Sequence, residues 1–203
     1  MASTFNTTEY WENRYSSGGN SGEGSYGSNC IDKTSYINQT IDRYNIQTIN
    51  DLGHGDGNQI GNINIRSSYT GYDVSSSARY TCISKYKDNA AYTFIDSLTR
   101  FNKADLVMSL DVIYHIIEFS VWSQYMVDLF SLSDLVLIYS PDKESKGDDH
   151  YHSRKFTPYI ADTFPNYNLI ATTKDLSKDL SRDASKDCKF YLYGNSSKYK
   201  SEL

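Results

Sequence analysis

A glycine-rich turn directly after a buried strand constrains the fold of this chain more than any other feature. Residues 46–52 read as a short strand, and they run into Gly53 to Gly57, where glycine occupies every second position. Glycine is needed where the backbone takes positive φ or approaches a ligand closely, because a Cβ atom would obstruct either. The G-x-G-x-G spacing differs from the G-x-G-x-x-G of dinucleotide sites. We expect an α-helix to follow this turn.

The rest of the chain alternates between predicted strands and predicted helices. Further strands are predicted at 68–74, 91–95, 104–110, 135–139, 168–172 and 189–193, and helices at 31–44, 76–87, 121–130 and 156–164. The runs 104–110 and 135–139 are almost wholly apolar, as parallel strands covered on both faces are. The alternation predicts an α/β fold, with a mostly parallel sheet and helices on both faces.

Composition excludes several classes of protein. Lys and Arg number 20 against 25 Asp and Glu, a net charge of −5 that argues against a dedicated nucleic-acid binder. Three widely spaced cysteines, Cys30, Cys82 and Cys188, favour a reducing compartment over a disulfide framework. The first residues do not resemble a secretory signal, and the longest apolar runs are too short to span a bilayer. We therefore expect a soluble, cytoplasmic protein.

The amino-terminal 30 residues differ from the remainder. Tyr10 to Tyr15 form a short helix candidate rich in aromatic and charged side chains, and residues 16–27 then carry five glycines. A flexible linker is one interpretation. The aromatic residues before the glycines, and Tyr26 among them, favour a loop that closes over a ligand. We expect a lid segment at 1–30 and one α/β domain at 31–203.

An acidic residue follows the second predicted strand at a suggestive distance from the glycines. Asp73 lies twenty residues after Gly53. A carboxylate at that position can accept hydrogen bonds from both ribose hydroxyls of an adenosine. Three glycines after a strand could form an ordinary turn, but together with Asp73 they favour a nucleoside site.

In these residues the chain resembles class I S-adenosylmethionine-dependent methyltransferases, whose first motif is an acidic residue, a hydrophobe and then G-x-G-x-G. The resemblance covers Asp51 to Gly57, Gly71 to Ser75, Asp96, and Ala104 to His115. The amino-terminal segment is similar to that of a bacterial and viral subgroup associated with glycan assembly. The resemblance implies a Rossmann-like sheet of seven strands with an antiparallel last strand, and S-adenosylmethionine as cofactor.

The resemblance also implies roles for single residues. Gly53, Gly55 and Gly57 would contact the methionine and ribose portions, Asp73 the ribose and Asp96 the adenine amino group. His54 stands where the family usually has a small residue, so it either narrows the turn or contacts the cofactor. The glycine-rich segment would fold over the cofactor. The complete set of predicted cofactor-binding residues is Trp11, Tyr26, Asp51, Gly53, His54, Gly55, Gly57, Asp73, Val74, Asp96 and Ser109.

The methyl acceptor is predicted from the segment after the fourth strand. Ser109 to Val112 replaces the Asp/Asn-Pro-Pro-aromatic tetrapeptide of enzymes that methylate base amino groups. We therefore expect an O-methyltransferase acting on a sugar or glycan hydroxyl, with neither nucleic acid nor a membrane as partner. Three alternatives stay open: a cofactor-binding module without activity of its own in a larger glycan-assembly protein, a small-molecule methyltransferase, and an N-methyltransferase.

Candidate catalytic residues follow the two central strands. Asp111 and His115 are four residues apart, on one face if a helix begins there, and His150 and His152 follow the fifth strand. Ligands bind at the carboxyl ends of strands in open α/β sheets. We expect His115, oriented by Asp111, to take the acceptor proton, with His150 and His152 as reserve candidates. A core-edge histidine and a solvated loop are the structural alternatives.

The same side chains, together with Asp149, would also suit Mg²⁺ or Mn²⁺. No ligand spacing requires a metal, so no metal ligand is predicted and this version stays open. Arg154 and Lys155 could hold an anionic group or cap the loop. The period-four repeat at 174–187 reads as a solvated helix or loop without chemistry.

Overall fold

A computed structural model describes residues 5–147, 150–173 and 188–200 of the protein. Asp148, Asp149 and the repeat at 174–187 lie outside these described residues. The strands are β1 (Thr48–Leu52), β2 (Ser68–Tyr72), β3 (Tyr92–Ile95), β4 (Leu106–Leu110), β5 (Leu135–Ser140), β6 (Ser145–Lys146), β7 (His152–Ser153), β8 (Tyr167–Thr172) and β9 (Lys189–Asn195).

Seven of these strands form one sheet in the order β3-β2-β1-β4-β5-β9-β8, and β6 pairs with β7 in a small hairpin. The pairs β1–β2, β2–β3 and β4–β5 are parallel, whereas β9 runs antiparallel to both β5 and β8. The predicted seven-stranded, mostly parallel sheet with an antiparallel last strand is confirmed.

The helices are α1 (Thr7–Ser16), α2 (Gly27–Arg43), α3 (Ser76–Lys85), α4 (Phe119–Ser131) and α5 (Phe156–Thr163). The prediction of an α-helix directly after the glycine turn is wrong, because only a 3-10 turn at Gln59–Asn62 lies between β1 and β2. Gly61 and the neighbouring asparagines are poor helix formers, and the short turn buries Gln59 and Ile60. Among the described residues, none of the helices is long and apolar enough to cross a membrane.

The chain divides into two compact units. The amino-terminal unit is Thr8–Leu106, and the carboxyl-terminal unit joins Met1–Thr7 to Val107–Leu203. In the first, Ile37 and Ile41 of α2 and Ile49 and Leu52 of β1 are buried. In the second, all six residues of β5 are buried together with Trp122 and Met126 of α4. Burial of β5 on both faces explains its uninterrupted apolar sequence.

Candidate functional site

The glycine turn of the amino-terminal unit has a backbone that disfavours other residues. Gly53, Gly55 and Gly57 have φ of 98°, 58° and 74°, in the left-handed region where a Cβ atom is costly. The amide of Gly53 donates to Tyr72 O at 2.7 Å and so ties the turn to the end of β2. A Cβ on Gly57 would lie 2.7 Å from Cys82 Sγ. The glycines therefore meet a conformational need of the chain itself.

Asp73 lies beside this turn, as its spacing from the glycines predicts. Its Oδ2 accepts a hydrogen bond from Gly55 N at 2.9 Å, and its Oδ1 accepts one from Ser75 N at 2.9 Å. A carboxylate has about four accepting positions, so both oxygens can accept further donors. The half-buried carboxylate is thus oriented by backbone amides and can still accept a ligand.

Asp51 is buried at the end of β1 with only part of its hydrogen-bonding capacity used. Tyr69 Oη donates to Oδ2 at 2.7 Å, whereas Oδ1 has no hydrogen-bond partner within the described part of the chain. Burial raises the pKa of this carboxyl to about 7, although the Tyr69 hydroxyl opposes the shift. A buried polar atom of this kind calls for a partner such as a ligand donor or an ordered water.

The ring of His54 packs inward and is only 5% exposed. Nδ1 lies 2.7 Å from Gly55 O, and a carbonyl can only accept, so Nδ1 carries the hydrogen. The ring stands edge-on to Phe94 at 5.1 Å, and burial lowers its pKa. The ring is buried beside the turn, and its Nε2 has no hydrogen-bond partner within the described part of the chain, so whether His54 narrows the turn or contacts a cofactor stays a prediction.

The other predicted cofactor residues have varied surroundings. Asp96 follows β3 and pairs with Arg100 at 3.0 Å and Arg79 at 3.5 Å, and the Arg100 hydrogen bond lowers its pKa. Val74 is 42% exposed next to Asp73. In the carboxyl-terminal unit, Ser109 is fully buried and its Oγ lies 2.7 Å from Tyr125 Oη.

The glycine-rich amino-terminal segment is folded onto the glycine turn. Ser21 and Asp56 form a reciprocal pair, because Ser21 N donates to Asp56 Oδ2 at 2.8 Å and Asp56 N donates to Ser21 Oγ at 3.0 Å. Tyr26 Oη donates to the same carboxylate at 2.8 Å. A Cβ on Gly55 would overlap Ser21 Oγ and lie 2.9 Å from Tyr15 Oη. The segment therefore covers the turn closely.

Helix α1 is fastened to the start of α3 through Glu12. The Glu12 carboxylate accepts from Ser77 Oγ at 2.6 Å, Ser75 Oγ at 2.8 Å, Ser77 N at 3.2 Å and Ser76 Oγ at 3.3 Å. These donors, the Ser77 hydroxyl first, lower the pKa of Glu12 to about 2. On the same helix, Trp11 stacks on Tyr15 with 5.8 Å between ring centroids.

In the carboxyl-terminal unit, Asp111 leaves β4 with an unusual backbone. Its φ is 59°, its amide donates to Tyr139 O at 3.0 Å, and its Oδ1 accepts from Tyr114 Oη at 2.8 Å. The expectation that a helix places Asp111 and His115 on one face is wrong. The segment forms only a 3-10 turn at Ile113–His115. The positive φ at Asp111 keeps that residue out of any helical run.

Two of the candidate histidines lie together. His115 Nδ1 is 2.8 Å from His150 O, and the two rings are nearly parallel with centroids 5.5 Å apart. Because a carbonyl accepts only, Nδ1 of His115 carries the hydrogen and Nε2 carries the lone pair. His152 instead has its Nε2 2.9 Å from Glu144 Oε1, an interaction that lowers the pKa of Glu144.

Comparison with known proteins identifies the fold. No protein-family model matches the chain, and no curated protein matches it in sequence. The N-methyltransferase NodS from Bradyrhizobium japonicum WM9, solved with S-adenosyl-L-homocysteine, is similar over 94% of this chain and 99% of its own, with a TM-score of 0.70 and 10% identity. The chain has a Rossmann-like methyltransferase fold.

Two further solved structures share this methyltransferase fold. Magnesium protoporphyrin IX methyltransferase (ChlM) from Synechocystis PCC 6803, with bound S-adenosylmethionine, matches at a TM-score of 0.64 and 15% identity, over 97% of this chain and 100% of its own. WbdD matches at 0.58 and 15% identity, over 83% of this chain but 40% of its own. The acceptors named for NodS and ChlM differ, so the shared fold leaves the acceptor open.

The side chains considered for a metal lie partly within the described residues. Within residues 5–147, 150–173 and 188–200, no three His, Cys, Asp or Glu side chains are grouped as a metal site. Asp149, one of the side chains considered for a metal, lies outside those ranges.

Sequence reasoning missed the residues that fasten the amino-terminal segment. Glu12 and Asp56 were not among its candidates, although each carboxylate receives several hydrogen bonds. A signal existed for Glu12, because three consecutive serines, Ser75 to Ser77, open a helix whose amino terminus attracts negative charge. No pattern indicated Asp56, whose partner Ser21 is 35 residues away.

The attachment of α1 predicts a pH-dependent contribution of Glu12 to stability. The pKa of Glu12 is lower in the folded chain, about 2, than its ordinary value of 4.5. Its stabilisation is therefore complete above pH 4.5 and is lost as the pH falls towards 2. Glu12→Gln should lower the free energy of unfolding by about 1 kcal/mol at pH 6, a value that allows for solvent screening.

Urea denaturation at several pH values between 6 and 3 measures this difference. The difference in unfolding free energy between wild type and Glu12→Gln should become steadily smaller below pH 4.5. Glu23→Gln, at an exposed carboxylate of the same segment, should change the unfolding free energy little at any of these pH values. An equal loss of stability in the Glu12 variant at pH 6 and pH 3 would contradict the assignment.

Proposed function

We propose that this chain is an S-adenosylmethionine-dependent methyltransferase whose acceptor is a saccharide hydroxyl. The observation that carries the methyltransferase assignment is the positive-φ glycine turn, hydrogen-bonded through Gly55 N to Asp73, in a chain with the methyltransferase fold. The NodS and ChlM structures of this fold hold the cofactor or its product, which supports the same ligand here.

The residues present around the turn fit this cofactor. Asp73 has accepting positions left for the ribose hydroxyls, and the glycines leave the backbone of the turn without side chains. Within the described residues, Oδ1 of Asp51 has no hydrogen-bond partner and could accept from a ligand donor. When bound, S-adenosylmethionine supplies an electrophilic methyl group next to a positive sulfur. The acidic side chains near the turn suit that charge.

The support for the remaining cofactor residues differs from one to the next. Val74 is exposed next to Asp73 and can pack on an adenine. Asp96 already pairs with two arginines, so its assignment to the adenine amino group has the least support. Ser109 has a buried side chain bonded to Tyr125 and would contribute backbone atoms, whereas the buried Nε2 of His54 has no partner in the described part of the chain.

We also propose that residues 1–30 act as a lid over the cofactor. The bonds from Ser21 and Tyr26 to Asp56 hold the glycine-rich segment against the turn that would contact the cofactor. Trp11 and Tyr26 would add aromatic surface to that enclosure. Covering the site would exclude water from the reacting groups.

The cofactor assignment predicts the behaviour of Asp73→Ala. Loss of a carboxylate that accepts from the ribose should weaken binding of S-adenosylhomocysteine by about 100-fold, the cost of two hydrogen bonds to a charged group. Isothermal titration calorimetry measures the dissociation constant. Asp73→Asn should lose less because it keeps one accepting oxygen, and Asp88→Ala, at an exposed carboxylate, should bind normally. Undiminished binding by a folded Asp73→Ala would show that the ribose lies elsewhere.

The lid predicts the effect of Ser21→Ala. This change removes the oxygen that accepts from Asp56 N and bonds to Tyr15 Oη. Binding of S-adenosylhomocysteine should weaken about tenfold, the loss of one or two hydrogen bonds. Ser28→Ala, at an exposed position in the first turn of α2, is the matched control. If both variants bind as the wild type does, the segment is packing and not a lid.

The acceptor proton is assigned to His115. A sugar hydroxyl must lose its proton as it attacks, and a neutral imidazole can accept it. The His150 carbonyl fixes the tautomer so that Nε2 of His115 is the accepting nitrogen. The stacked ring of His150 then restricts the orientation of the base. Asp111, held by Tyr114, adds negative charge that would stabilise the imidazolium.

His115→Ala should lower kcat by about 10²–10⁴-fold, the usual range for loss of a general base. Cofactor affinity should not change, because His115 is not among the residues predicted to bind the cofactor. Turnover is measured as the S-adenosylhomocysteine that the enzyme releases in the presence of each sugar of a panel. Added imidazole should restore part of the lost turnover. Normal turnover in this variant would exclude His115 and move the search to His150 and His152.

A second candidate is transfer to an amine, since the structural relative NodS is an N-methyltransferase. An amino sugar compared with its hydroxyl analogue separates the two acceptors in one assay. Cofactor binding without product release from any acceptor would instead indicate a binding module without activity of its own.

A further inference from the structure

A pocket of about 680 Å³ lies within the carboxyl-terminal unit, where the β6–β7 hairpin meets α4 and α5. Sites for small molecules usually measure about 300–1,000 Å³, so the pocket has room for one or two sugar rings. Its lining residues within the described ranges fall between Ile117 and Tyr159. None of the residues predicted to bind the cofactor is among them.

One wall of the pocket is aromatic. Phe119 stacks on Trp122 with centroids 5.8 Å apart, and Trp122 meets Tyr159 edge-on at 4.7 Å. Phe119 is 61% exposed although it is the first residue of α4, so its ring faces solvent rather than the core. An exposed aromatic ring above a buried indole is a suitable surface for the C–H face of a sugar ring.

Among the lining residues that the structure describes, the charged side chains are mostly positive. Lys146 and Lys155 are exposed, and in the described part of the chain neither side chain makes a hydrogen bond or an ion pair, although the charge of Lys146 helps to lower the pKa of Glu144. Arg154 adds a third charge, although it donates to Ile116 O at 2.7 Å and lies 5.3 Å from the Trp122 ring, which gives it a positioning role. Glu144 is the one acid among the described lining residues.

This charge is opposite in sign to that of the whole chain, which has a net charge of −5. Lysines that are not paired with acids in a pocket can each donate to an anion as mobile point charges. Together with the aromatic wall, they form a site for a ring that carries a negative group.

We propose that this pocket binds an acidic saccharide, a sugar that bears a phosphate or carboxylate group, and thereby selects the methyl acceptor. Calling the ligand an acceptor rests on the proposed function, whereas binding alone does not. The pocket adjoins the candidate base, because Tyr151 lines it and packs 5.4 Å from Tyr114, the residue before His115. Phe119 would contact the sugar ring, and Lys146 and Lys155 would contact its anionic group, so the ligand has one apolar and one charged contact.

Calorimetry with the full chain tests the charged contact, using glucose 6-phosphate, glucuronate, glucose and inorganic phosphate as probes. We expect at least one acidic sugar to bind at least about tenfold more tightly than glucose and than inorganic phosphate. The variant Lys146→Ala/Lys155→Ala should lose at least about tenfold of that affinity. Lys87→Ala/Lys103→Ala makes the same change in net charge at exposed sites outside the pocket, and should retain it.

Phe119→Ala tests the apolar contact. It should weaken binding of the acidic sugar about fivefold or more and leave inorganic phosphate unaffected, because only the ring needs the aromatic face. Val121→Ala, on an exposed side chain of the same helix, is the control. Whichever acidic sugar binds tells phosphate from carboxylate as the recognised group.

Three results would overturn the proposal: glucose binding as tightly as both acidic sugars, inorganic phosphate binding as tightly as they do, or unchanged binding in the double lysine variant. S-adenosylhomocysteine affinity, measured on the same samples, reports on the proposed function separately. If the sugar-binding proposal is wrong, the affinity for S-adenosylhomocysteine should still be intact. Absence of cofactor binding with retained sugar binding would reject methyl transfer and keep the pocket.

Discussion

The arrangement of the glycine turn and the start of α3 depends on hydrogen bonds to the carboxylate of Asp73. This carboxylate accepts from Gly55 N in the turn after β1 and from Ser75 N before α3, so one side chain sets the position of two loops. Because Ser75 also caps α3 by accepting from Ala78 N at 3.1 Å, the helix start is fixed relative to the glycines. The shape of the turn is thus held by hydrogen bonds of the chain.

Negative charge accumulates around the same turn. Asp51 lies at the end of β1, Asp56 lies within the turn and Asp73 lies beside it. Asp56 shows how the chain accommodates this charge: burial raises its pKa, but hydrogen bonds from the Ser21 and Asn58 amides outweigh that effect and lower it. Asp51 is fully buried, and that burial raises its pKa to about 7, so it carries less negative charge at neutral pH than the other two carboxylates. Such a concentration of carboxylates favours a cationic ligand over an anionic one.

The fold was largely predictable from sequence, because it depends on regular patterns. The apolar run of β5 and the spacing of Trp122 and Met126 reflect burial that repeats along a strand or helix. The candidate site was predictable only where a motif is local, as at Gly53 to Gly57. The Ser21–Asp56 pair and the contact of His115 with His150 join residues 35 apart in the chain, and no periodicity encodes such a contact. The positive φ of Asp111 is equally invisible, since aspartate adopts it only in context.

The close fit of the amino-terminal segment over Gly55 has a kinetic consequence for the proposed enzyme. Ser21 and Tyr26 hold Asp56 through three hydrogen bonds, and Glu12 holds the serines before α3 through four more. A product lying beneath this segment leaves only after a share of those bonds has opened. Opening of covering segments commonly takes microseconds to milliseconds and often limits turnover. The rate of the cycle would then be determined by release, and a looser segment would give faster exchange with poorer retention.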